Sequence, residues 1–138
     1  MFTPDQFTPT HFHSSEDKTK FANQFVKFVN SAFAEEHFPK WFYQELSNTF
    51  GHIAHYNQGG FYATFFTCPA DALEFINQCL DYPCYGQPEY TYCDVEKVLQ
   101  SWMIENKIRE KWFDLAIDAT EKVERAELNR LQEKYGIG

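Results

Sequence analysis

From Asp94 to Tyr135 the chain runs without a glycine or a proline. A stretch that long with neither breaker reads as helix, because only glycine and proline cost a helix interior about 1 kcal/mol or more. Val95, Val98, Leu99, Trp102 and Met103 form one apolar face, and Ile108, Trp112, Leu115, Ala119, Val123 and Ala126 form another near heptad spacing. The two faces do not register, so a break is expected near Asn106-Lys107. Glu105–Arg109, Asp118–Lys122 and Glu121–Arg125 are acid-to-base pairs four residues apart, the mark of a solvated face. Past Val123 the apolar stripe thins to Ala126, Leu128, Leu131 and Tyr135. This end either packs on a second copy of the chain, giving a homodimer, or frays on its own domain.

Upstream, residues 1–14 read as an extended arm. Phe2-Thr3-Pro4 and Phe7-Thr8-Pro9 form a small repeat, and proline biases its predecessor toward extended backbone. Ser14 and Asp17 then stand at capping spacing, and Phe21, Phe25, Phe28, Val29, Ala32 and Phe33 recur at steps of three and four. That spacing predicts an amphipathic helix over 15–36 with a phenylalanine-rich core face. A second helix is expected over 39–49 and a third from about Asp71 to Leu80.

The stretch 51–67 reads differently. Two short runs rich in aromatic and β-branched residues flank Asn57-Gln58-Gly59-Gly60, where glycine supplies the positive φ of a tight turn. The expected fold is therefore α+β: a single domain over 15–138, with a small antiparallel sheet built on this hairpin and packed by about five helices.

Twenty acids against twelve bases give a net charge of −8, and no lysine or arginine lies between Lys40 and Lys97. Seven acids fall inside that block: Glu45, Asp71, Glu74, Asp81, Glu89, Asp94 and Glu96. A phosphate backbone needs cations to displace its counterions, so the block disfavours direct nucleic-acid binding. The remaining bases, Lys18, Lys20 and Lys27 or Lys107, Arg109 and Lys111, form no uninterrupted patch. No run approaches the ~18–20 apolar residues of a membrane span. The first residues lack the basic and apolar regions of a secretory signal. The chain reads as cytoplasmic, with Cys68, Cys79, Cys84 and Cys93 as reduced thiols in no zinc-like spacing.

Aromatic residues make up 19 % of the chain, more rings than a domain of this size hides, and exposed aromatic patches mark binding surfaces. The expected binding surface combines His55, Tyr56, Phe61 and Tyr62 of the hairpin with Tyr82, Tyr85, Tyr90 and Tyr92 of the Tyr/Pro-rich loop at 81–92. That points to a protein-binding or regulatory module whose partner carries a basic surface. Its sharper form is an acidic inhibitor that occupies a basic groove. The alternative is an enzyme on a small substrate, with His52 or His55 as general acid/base, Tyr56 and Tyr62 as donors and Asp94 or Glu96 as an orienting carboxylate. His11 and His13 share a face of an extended arm, but two ligands make a poor metal site. No metal or cofactor is expected, and no phosphate-cradling or nucleophile motif is present.

Overall fold

The computed structural model describes residues 1–50, 57–81 and 87–136. Among them are six α-helices and no strand: α1 (Ser15–Asn30), α2 (Lys40–Thr49), α3 (Gln58–Phe65), α4 (Pro69–Asp81), α5 (Cys93–Glu105) and α6 (Ile108–Tyr135). Short 3-10 turns at Pro4–Gln6 and Glu35–His37 punctuate the connections.

The α+β expectation is thereby overturned, and its error lies at residues 57–67. What reads as a turn and a second strand is α3. Asn57 is its N-cap, and the Asn57 side-chain oxygen accepts from the Gly60 amide at 2.7 Å. A Cβ on Gly60 would lie 3.0 Å from that oxygen, so the glycine is there to let the cap approach. Phe61 and Phe65, four residues apart, are both buried, as a helix and not an alternating strand would place them. The first proposed strand falls on residues outside the described ones.

Helix α1 is opened by Ser14, whose hydroxyl accepts from the Asp17 amide, and it buries Phe21, Phe25, Phe28 and Val29 as the spacing requires. It stops sooner than expected. Ala32 and Phe33 both sit at positive φ, 58° and 59°, a left-handed conformation costing roughly 1–2 kcal/mol per residue. The reversal drives Phe33 inward, where it is 1 % exposed and packs on Phe28, Phe66 and Trp112. Fully burying a phenylalanine is worth about 1.5–3 kcal/mol, which offsets much of the strain of the two left-handed residues.

The core is a continuous lattice of rings from α1, α2, α3 and α4, with Val95, Leu99 and Met103 of α5 closing one side. Phe7 of the N-terminal arm is buried in it. The arm is tied down further: Phe2 and Asn23 exchange two hydrogen bonds, from the Phe2 amide (2.9 Å) and to the Phe2 carbonyl (3.2 Å).

The helical run from Cys93 breaks at Lys107, which takes left-handed backbone (φ 53°) between α5 and α6. Helix α6 is about 42 Å long at 1.5 Å per residue. It packs along α4 and α5, yet only Ile108 and Trp112 are buried. Beyond Thr120 every residue to Arg130 is exposed, Val123 and Leu128 among them.

Candidate functional site

The N-terminal arm and the segment before α5 come together over the start of α1. Lys18, in the second turn of α1, is 1 % exposed. Its ammonium donates to the Thr8 carbonyl at 2.7 Å and to both carboxylate oxygens of Asp94 at 3.0 and 3.1 Å. Asp94 in turn accepts from the Thr8 amide at 3.0 Å. One lysine thus spends its three protons fastening the arm to the first turn of α5, and no donor is left for an outside anion.

Over this ion pair lies a cleft of about 450 Å³, lined by Thr8, Pro9, Thr10, His11, Pro88 and Glu89, with Lys18 and Asp94 also in its wall. Beside it, Phe12 and Tyr90 pack tilted against each other, ring centres 4.8 Å apart, although each is more than half exposed, 55 % and 52 %. The His11 ring meets Phe12 edge-on at 5.0 Å. The pair is held from below. His13 Nε2 lies 3.0 Å from the Tyr90 carbonyl, and the His13 ring packs edge-on against Tyr92. With Lys18 neutralised by Asp94, Glu89 leaves the cleft with an unbalanced negative charge.

Because Lys18 is buried and Asp94 is about one-third exposed on its side chain, the two halves of the pair differ in what their loss costs. Asp94→Ala is expected to lower stability by about 2 kcal/mol, below the 3–5 kcal/mol of a fully buried pair because water partly reaches the site. Lys18→Met, which leaves a carboxylate that can hydrate, is expected to cost less. Urea midpoints of the two variants test that order.

The residues singled out from sequence scatter. Tyr90 stands at the aromatic rim. Tyr92, by contrast, is 1 % exposed, packs on Phe21, and gives its amide to the Asn48 carbonyl at 2.8 Å. Burial, then the hydrogen bond to Glu45 and its charge, hold the Tyr92 phenol well above its ordinary range, so it stays protonated. Phe61 is buried at the centre of the ring lattice. Tyr62 is half-buried and donates its hydroxyl to the Phe33 carbonyl at 2.7 Å, clamping the α1 reversal. His55, Tyr56, Tyr82 and Tyr85 lie outside the described residues, as does His52. Of the two carboxylates considered as orienting groups, Asp94 serves the ion pair and Glu96 is buried between α4 and α5. Cys68 and Cys79 are free thiols, whereas Cys93 is disulfide-bonded, so the expectation of four reduced cysteines does not hold there.

Phe12 and His11 were missed as site residues. The signal was present, an aromatic repeat in the arm at Phe2, Phe7 and Phe12, but nothing in the spacing says that Phe7 turns inward and Phe12 outward. Three of the six bases weighed for nucleic acid are engaged: Lys18 in the ion pair, Lys20 over the Trp41 ring at 4.3 Å, and Arg109 with Asp81 at 2.7 Å. Among the described residues no three histidine, cysteine or acidic side chains gather as a metal would require. No described helix is long and apolar enough to cross a membrane. No family model matches the chain, and comparison with curated proteins and with solved structures likewise finds no match.

Proposed function

We propose that this protein is a binding module that receives a basic segment of a protein partner in the cleft between its N-terminal arm and the start of α5. The observation that carries the reading is the tilted Phe12–Tyr90 ring pair, two rings left more than half in water beside an acidic cleft. Solvent-exposed rings held rigidly by backbone contacts are what interface anchors are made of, since they bury much area at little entropic cost. Glu89 and the proline walls suit an arginine or lysine side chain, which can lay its stem on apolar surface and its charge on a carboxylate or a ring face. Regulation through a basic groove of the partner is the same contact seen from the other side. Pairing of α6 with a second copy of the chain is a separate part of this reading.

A pull-down of tagged protein from its native lysate, with and without nuclease, tests it. A stoichiometric protein partner that survives nuclease and falls tenfold or more with the Phe12→Ala/Tyr90→Ala double variant is the expected result. Retention undiminished in that variant, or only nucleic acid in the eluate, sinks the proposal. Because both rings are exposed, circular dichroism and melting of the variant should match the parent.

A further inference from the structure

The geometry points to an isologous, antiparallel dimer built on α6, with the two-fold axis passing beside Glu124. Most of the large apolar residues of α6 that its own core leaves unused share one stripe; Val123 flanks it and Leu115, 38 % exposed, lies on the opposite side. Phe113, Ile117, Thr120, Leu128, Leu131 and Tyr135 fall, with Glu124, within about 80° of one another on a helix of 100° per residue. That stripe is turned about 140° from Ile108 and Trp112, the two residues α6 buries in its own domain. Phe113 and Tyr135 are 52 % and 64 % exposed.

The spacing of the stripe is palindromic. Thr120 and Leu128 lie four residues either side of Glu124, Ile117 and Leu131 seven, and Phe113 and Tyr135 eleven. A second copy running antiparallel about residue 124 therefore sets Phe113 against Tyr135 of the other copy, Ile117 against Leu131, and Thr120 against Leu128, all twice. A two-fold interface must be self-complementary in this way. An unrelated partner imposes no such symmetry.

The flanks agree. In an antiparallel pair each side of the stripe meets the same side of the other copy. One side brings Glu121 beside Arg125 of the other copy, and Arg125 beside its Glu121, two ion pairs across the seam from residues that now lie 4.0 Å apart within one helix. The other side brings the two Val123 side chains together, and Val123 is 69 % exposed in the single chain. At each end, a cleft of about 300 Å³ between α4 and α6, bounded by Leu73, Asn77 and Phe113, lies where Tyr135 of the other copy arrives. The seam runs about 33 Å from Phe113 to Tyr135, so the two domains stand at opposite ends and do not collide. The two Glu124 carboxylates meet at the axis and weaken the pair.

Sedimentation equilibrium of the purified full chain, from about 1 to 300 µM, is the test. The parent is expected to pass from monomer to dimer across that range. Leu128→Glu/Leu131→Glu should stay monomeric, and Glu124→Leu should tighten association tenfold or more. A parent and Glu124→Leu variant that both remain monomeric overturn the proposal, as does a dimer indifferent to Leu128→Glu/Leu131→Glu. Orientation is read separately in a Cys68→Ser background. An equimolar mixture of Thr120→Cys and Leu128→Cys should cross-link mainly as the mixed pair on mild oxidation. Self-cross-linking of each alone would mean a parallel pairing and would overturn the register.

Discussion

Replacing Glu96 with glutamine should raise stability at pH 8 by about 3 kcal/mol and leave it almost unchanged at pH 5. Glu96 is 3 % exposed on the inner face of α5. Its Oε1 accepts from Gln100 Nε2 at 3.2 Å, and the same amide group donates to the Cys79 carbonyl at 2.9 Å. Burial pushes the carboxyl up to about 7; the Gln100 hydrogen bond and the charge of Lys97 only partly restrain it. The neighbouring Cys79 thiol is itself raised, first by burial and then by the Glu96 charge.

A carboxyl that holds its proton more tightly when folded favours the folded state while it is protonated. Its stabilising contribution is complete below the ordinary value near 4.5 and is lost as pH rises through about 7. The gap between those values corresponds to about 3 kcal/mol at 1.36 kcal/mol per pH unit. Denaturant titrations at pH 5, 6, 7 and 8 check this. The parent should weaken across the series, and Glu96→Gln should flatten that trend. A parent whose stability rises from pH 5 to 8, with the variant tracking it, would mean that Glu96 is ionised throughout.

The second large effect concerns Phe75. Its ring is fully buried on α4 and lies 5.0 Å from Phe66, 6.0 Å from Phe61, 6.1 Å from Phe33, 6.3 Å from Phe65 and 6.4 Å from Phe25. Phe75→Ala removes the ring on which α1, α3 and α4 converge, and is expected to cost about 3–5 kcal/mol. Neighbouring rings cannot collapse into the space without abandoning their own contacts, so the upper half of that range applies. Phe12→Ala, by contrast, should stay within about 0.5 kcal/mol of the parent. Equilibrium urea unfolding of the two variants separates a ring that builds the fold from one that faces outward.

How legible this was in the sequence depends on contrast. Helix α1 was legible because its phenylalanines alternate with polar residues at steps of three and four, and the break at Lys107 because two apolar faces fail to register. Helix α3 was not, because Phe61, Tyr62, Ala63, Phe65 and Phe66 make it apolar on nearly every side. Without a polar face there is no 3.6-residue rhythm to read. Asn57 and the two glycines, a hairpin signal when taken alone, serve instead as a cap and its clearance. Length could have arbitrated only weakly, since eight residues suit either element.

The aromatic excess goes mostly into the core, with Phe12, Tyr90, Phe113 and Tyr135 the exposed rings among the described residues, and that partition is hidden in the sequence. Phe7 and Phe12 are five residues apart in the same arm with opposite fates. What separates them is the Lys18–Asp94 pair, a contact between residues 76 apart in sequence that turns the arm at Thr8. Long-range electrostatics of that kind leave no local pattern. Tyr90 and Tyr92 divide similarly, one outward and one inward, because the Tyr92 amide is claimed by Asn48 on α2.

The length of α6 beyond its own core divides the chain into parts that unfold by different rules. Amides around Phe25 and Phe75 can exchange with solvent only when the whole domain opens. Those from Val123 to Tyr135 are held by little more than the helix itself, whose isolated turns are marginal in water. Hydrogen exchange there should be orders of magnitude faster than in α1 at low protein concentration. It should slow as concentration rises, which makes the tail its own reporter of whether a second chain has arrived.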